Sequence, residues 1–143
     1  MEYKSFLVKY GEIGVKGKNR YKFEDALVRQ LGFALKKLDC EFNIVKEHGR
    51  IYMDMLGPYD YEDTVAALQR VFGVVSICPV IRLNDSAYET IAAESVRFLK
   101  EISAGTEQSF KVFTRRIDKS YPGTSEEISA SLGGVILEAC PNL

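Results

Sequence analysis

Apolar residues recur along this chain with two different periods, and the alternation between them outlines its elements. Ser5–Tyr10 reads as a strand, and a loop with Gly11, Gly14 and Gly17 follows it. From Asn19 the apolar positions fall at Phe23, Leu27, Leu31, Leu35 and Leu38, the spacing of one helix face. Over residues 40–46 the period shortens to two, with Cys40, Phe42 and Ile44 on one side and Glu41, Asn43 and Val45 on the other. His48-Gly49 turns the chain into a third strand over residues 50–56, and Gly57-Pro58 ends it. Residues 60–72 return to helical spacing with Tyr61, Val65, Leu68 and Phe72 inward, and Gly73 stands where a C-cap belongs. A fourth strand spans residues 76–83, and Pro79 within it implies an edge position or a bulge.

The order β-α-β-β-α-β defines a ferredoxin-like unit over residues 1–83, two helices on one face of a four-stranded sheet. Asn84-Asp85-Ser86 reads as linker and helix cap. A second α/β unit, residues 84–143, follows: a helix over 87–102 with Ile91, Ser95, Phe98 and Ile102 inward, a strand over 108–115, and a helix over 125–138 using Ile128, Leu132, Val135, Ile136 and Ala139. One strand between two helices leaves its backbone edges unpaired, so this unit is expected to be cut short, lacking the strands that pair with it. The fold class is α+β.

Composition narrows the class. The 143 residues are 46% hydrophobic and 27% charged, and no apolar run is long enough to cross a bilayer, so the expected location is the cytoplasm, with no membrane partner. Cys40, Cys78 and Cys140 are odd in number and widely spaced, which suits reduced thiols rather than a disulfide framework or a metal site. His48 is the only histidine and sits at a turn, so neither a metal set nor a catalytic constellation is supported. The net charge of −1 conceals two basic islands. Residues 9–22 carry +4 and residues 111–119 carry +3, which leaves −8 on the remainder. Such islands on an acidic background point to a local anion site.

The second island is the more informative. Residues 110–115 alternate as a strand, then Arg115, Arg116 and Lys119 cluster around Asp118. Pro122-Gly123 breaks the chain, and Thr124 or Ser125 followed by Glu127 reads as a capped helix start. Cations beside a helix N-terminus suit phosphate. Tyr121 is a candidate for stacking on a base, whereas Phe23, Phe110 and Phe113 are expected in the core. The first island joins strand to helix through three glycines, with Lys16, Lys18 and Arg20 near the helix start at Asn19. Its G-x-x-G-x-x-G spacing is neither a Walker loop nor a dinucleotide fingerprint. It resembles in outline the phosphate loop of acylphosphatases, with Arg20 as clamp, although no water-positioning asparagine is evident. Together the islands are expected to form one RNA-binding surface.

YGEIGVKGKNR at residues 10–20, FGV at 72–74, FKVFTRRIDKSYPGTS at 110–125 and LGGVIL at 132–137 resemble the tRNA 4-thiouridine synthetase (ThiI) family, in order along nearly the whole chain. The resemblance implies that residues 84–143 are a THUMP domain truncated at its C-terminal end. It implies tRNA as partner, through the acceptor stem and single-stranded 3′ end. Lys111, Arg115, Arg116, Lys119 and Tyr121 would face the terminal nucleotides, and Lys16, Lys18, Asn19 and Arg20 the neighbouring phosphates. The parent enzyme is a tRNA sulfurtransferase that adenylates a uridine with ATP and Mg, then replaces the adenylate with sulfur. Its sulfur comes from a cysteine desulfurase and also feeds thiamine thiazole synthesis, and the parent is a homodimer. That chemistry lies in a domain bearing an SGGxDS loop, absent here, so this stretch is expected to need no cofactor and to have no catalytic residue. THUMP domains of other tRNA-modifying enzymes are the alternative reading.

Overall fold

The computed structural model describes residues 3–11, 19–47 and 49–143. The chain falls into two compact units, Glu2–Arg82 and Leu83–Leu143. The first contains β1 (Ser5–Tyr10), α1 (Arg20–Lys36), β2 (Phe42–Glu47), β3 (Arg50–Met55), α2 (Tyr61–Gln69) and β4 (Val74–Val80). The strands form one antiparallel sheet in the order β2-β3-β1-β4, the ferredoxin-like arrangement. Period-two patterning sends Phe6 and Val8 of β1 and Ile51, Met53 and Met55 of β3 to one face. There they meet Leu27, Leu31 and Leu35 of α1 and Leu68 of α2 in the core. Each such side chain contributes about 1.5–3 kcal/mol by leaving water, so this cluster dominates the unit's stability.

Pro79 lies on an edge strand, β4, opposite Phe6, where its missing N–H interrupts no inner ladder. The register also shifts from Lys9↔Ser76 to Tyr10↔Val74, a bulge that leaves Val75 unmatched. Arg82 closes the unit. Its Nη1 donates to both Asp54 carboxylate oxygens at 3.0 and 2.8 Å and its Nη2 to Glu47 at 2.7 Å. Its guanidinium also stands 4.6 Å from the centre of the Tyr52 ring.

Helix α2 departs from expectation. It stops at Gln69 with Arg70 as C-cap, and it buries Thr64, Ala67 and Leu68 rather than Tyr61 and Phe72. Phe72 lies beyond the helix, where helical spacing no longer governs its direction. Gly73 serves the turn rather than the cap, with φ at +96°. The expected position of His48 lies outside the described residues.

The second unit contains α3 (Tyr88–Ser103) and α4 (Ser125–Ala139). Ala87 is the N-cap of α3, and the Asp85 carboxylate accepts its N–H at 2.9 Å. Ala104 and Gly105 take positive φ to end the helix. Helix α4 buries Leu132 and Ile136, and Cys140 beyond its end is buried too. The strand expected over residues 108–115 does not form: among the described residues this stretch pairs with no other strand. A strand exists only through a ladder partner, and no described residue pairs with this stretch in a ladder. The two-residue alternation of burial survives nonetheless, with Phe110, Val112 and Thr114 half-buried and Lys111, Phe113 and Arg115 exposed. Thr114 accepts from the Ser129 hydroxyl of α4 at 2.7 Å, and Gln108 N–H donates to the Asn142 carbonyl at 3.2 Å. No helix among the described residues is long and apolar enough to cross a membrane.

Candidate nucleic-acid interface

The alternation over residues 110–117 builds the site. Its outward row presents Lys111, Phe113, Arg115 and Ile117 to solvent, because the inward residues are held by the helices. Phe113 is 82% exposed, a correction to its expected place in the core. Lys111 Nζ stands 5.0 Å from the centre of the Phe113 ring. A flat apolar ring between two cations is the pairing that single-stranded nucleic acid recruits, base on ring and phosphate on cation. Residue parity carried this signal in the sequence, since Phe113 shares its side with Lys111 and Arg115.

Beside the row lies a groove of about 550 Å³ with Ile91, Val112, Ile128 and Leu132 among its lining and Phe113, Arg115, Asp118 and Tyr121 at its polar and aromatic edge. The loop that borders it is pinned from inside. Arg116 Nη1 donates to the carbonyls of Lys119 at 3.1 Å and Tyr121 at 3.0 Å. Its Nε is buried with no hydrogen-bond partner among the described residues. Arg116 thus shapes the loop, while Arg115 and Lys119 are exposed. Asp118 accepts from the Ser120 hydroxyl at 2.6 Å and the Ser120 N–H at 2.9 Å. Those two bonds, the hydroxyl first, hold its carboxyl below the usual range. Tyr121 is half-buried and its hydroxyl donates to the Ser86 carbonyl at 2.7 Å, which ties the loop to the start of the unit.

The helix N-terminus is less open to an anion than the sequence suggests. Thr124 is its N-cap, and its hydroxyl accepts the Glu127 N–H at 3.1 Å. Glu126 and Glu127 occupy the first turn, so their carboxylates already answer the positive end of the helix dipole. The positive charge of this unit thus lies on its side-chain cations rather than at the helix end.

Of the first island, Lys16 and Lys18 lie outside the described residues. Asn19 is exposed and makes no capping bond. Arg20 Nε lies 3.7 Å from Glu24, a buried carboxylate that also accepts from the Tyr10 hydroxyl at 2.9 Å. Burial, then the bond to Glu24, pushes the Tyr10 hydroxyl above its ordinary pKa. This knot fixes the helix start from which Asn19 and Arg20 project. Burial, then Asp39, likewise raises the Cys40 thiol and weakens it as a nucleophile. A nucleotide finds no cradle in LGGVIL, because Gly133 and Gly134 lie inside α4, where helical hydrogen bonds engage the backbone N–H groups.

A two-helix, four-stranded ferredoxin-like unit is followed by a two-helix unit that bears an exposed cation–aromatic row. Residues 5–78 match the family model described as the ThiI ferredoxin-like domain, and the chain belongs to that family. It is 48% identical over 141 residues to a probable tRNA sulfurtransferase of Lachnospira eligens, covering 99% of this chain and 36% of that protein. It therefore spans about a third of the length of such curated relatives. The crystal structure of PH1313 from Pyrococcus horikoshii superposes with a TM-score of 0.79 at 33% identity, over 94% of this chain and 44% of that one. A 4-thiouridine synthetase–RNA complex with bound ATP gives a TM-score of 0.76 at 27% identity, over 99% of this chain and 35% of that one.

Proposed function

We propose that this chain is the tRNA-binding N-terminal part of a tRNA sulfurtransferase that makes 4-thiouridine, and that it grips the single-stranded 3′ end of the acceptor stem. The observation that carries the reading is the outward row of Lys111, Phe113 and Arg115 beside the groove. Phosphates of the tail pair with Lys111, Arg115 and Lys119, and a terminal base stacks on Phe113. Tyr121 and Arg116 hold the loop in shape. Lys16, Lys18, Asn19 and Arg20 take backbone phosphates of the adjoining stem. In this reading residues 84–143 are the THUMP domain, and strands from further along the parent protein pair with residues 108–115. The 4-thiouridine synthetase solved with RNA supports tRNA as the partner.

The chemistry belongs to the parent enzyme in the cytoplasm. ATP with Mg activates the uridine in a further domain of the homodimer, a cysteine desulfurase supplies the sulfur, and the same sulfur serves thiamine thiazole synthesis. No residue of this chain takes part in those steps.

The test is binding of this chain to a whole tRNA and to the same tRNA without its 3′ tail, at two salt concentrations. Tail-dependent, salt-sensitive affinity is the expected result. Equal affinity for both RNAs moves the contact to the duplex, and salt-insensitive binding rejects the electrostatic account.

A further inference from the structure

Phe72 opens the FGV segment and lies outside both the core and the cation–aromatic row. Its side chain is 86% exposed, beside Val75 at 70% and near Phe33 at 53%. The exposure is built in. The Val71 N–H bonds to the Leu68 carbonyl and the Val74 N–H to the Val71 carbonyl, so the chain turns sharply after α2. Gly73 settles against the Phe23 ring, where a Cβ would stand 3.1 Å from the ring edge. With Gly73 packed inward, Phe72 faces out.

Phe33 and Phe72 flank a groove of about 250 Å³ between α1 and α2. Lys37 and Arg70 line it, Ala34 and Ala67 are small, and no acidic side chain takes part. Lys36 adds a cation 5.9 Å from the centre of the Phe33 ring. Among the described residues neither Lys37 nor Arg70 forms a salt bridge. The acids of α2, Glu62 and Asp63, sit in its first turn, away from Arg70 at its C-cap. A patch with only positive charge on an acidic protein repels another such patch, which argues against a second copy. It selects a polyanion that also offers flat apolar faces.

We infer that this helical face of the ferredoxin-like unit is a second RNA contact, at which an unpaired nucleobase stacks on Phe72 while flanking phosphates meet Lys37 and Arg70. The inference rests on the tRNA reading and adds a contact that does not depend on the 3′ tail.

The experiment measures affinity of the full chain for whole tRNA and for tail-less tRNA, using Phe72→Ala, Phe72→Tyr and the pair Lys37→Glu with Arg70→Glu. Phe72→Ala is expected to weaken both RNAs by the same factor, about fivefold or more for a lost stack. Phe72→Tyr keeps the ring and is expected to keep the affinity. The charge-reversed pair is expected to weaken both RNAs and flatten the salt dependence. Unchanged affinity of Phe72→Ala and of the charge-reversed pair for both RNAs overturns the contact, while tail-dependent binding by the parent chain leaves the tRNA reading intact. Self-association lost in Phe72→Ala by sedimentation, with RNA affinity unchanged, assigns the face to a second copy and also overturns it.

Discussion

Arg115 and Arg116 are neighbours of the same type with opposite duties. Arg115 is exposed on the outward row, whereas Arg116 turns in and donates to two carbonyls of its own loop. Arg115→Ala is expected to weaken tRNA binding by about 1–2 kcal/mol, the value of a charge-assisted contact, with the thermal midpoint unchanged. Arg116→Ala strands the carbonyls of Lys119 and Tyr121, so it is expected to cost about 1–3 kcal/mol of stability, read by urea denaturation. Equal loss of stability in both variants would make Arg115 structural as well. Phe113→Ala belongs with Arg115: a ring that is 82% exposed supports little of the fold, so RNA affinity is expected to fall without destabilisation. Residue type and residue parity disagreed at Phe113, since phenylalanine favours cores while its place between Lys111 and Arg115 favours solvent. Parity prevailed because the inward positions were already filled by Val112 and Thr114. Helical spacing made single positions legible at Leu27, Leu31 and Leu35, whereas Ile102 and Val135, expected inward on the same ground, are 43% and 37% exposed.

Elements were legible where a period ran long enough to fix a face. The strand expected over Ser5–Tyr10 matches β1 end to end, and the apolar spacing from Phe23 to Leu35 locates α1 to within a few residues. Sequence and structure part where an element depends on something outside its own pattern. Residues 108–115 have strand composition but, among the described residues, no strand beside them, and α2 stops before Phe72 although the spacing continues. The cap of α4 was readable because Thr124 and Glu127 are local partners, and the structure joins them. Thr124→Ala is expected to cost about 1 kcal/mol of stability by denaturant titration, and an unchanged midpoint would mean another group replaces the cap. Gly73 supplies a harder stop. An added Cβ meets both a positive φ and the Phe23 ring at 3.1 Å, so Gly73→Ala is expected to lose at least about 1 kcal/mol.

At the scale of the molecule, the proposed RNA contact depends on how charge is distributed. Two islands of +4 and +3 stand on a remainder of −8, so net charge predicts repulsion while local charge predicts attraction. Salt separates the two. At physiological ionic strength the Debye length is about 8 Å, short enough that phosphates seated among Lys111, Arg115 and Lys119 feel those cations more than the distant acids. If four or five phosphates are neutralised, the slope of log affinity against log salt is expected to be about −3 to −3.5 for single-stranded contacts. Each cation removed shortens that slope by about 0.7. Replacing Lys111, Arg115 and Lys119 together with alanine is therefore expected to bring it to about −0.7 to −1.4, leaving the contribution of cations elsewhere. Fluorescence anisotropy across a salt series measures it directly. A triple variant that binds more weakly at every salt but keeps the parent slope would show that these side chains shape the groove without meeting phosphate, because counterion release counts only charges that touch the backbone.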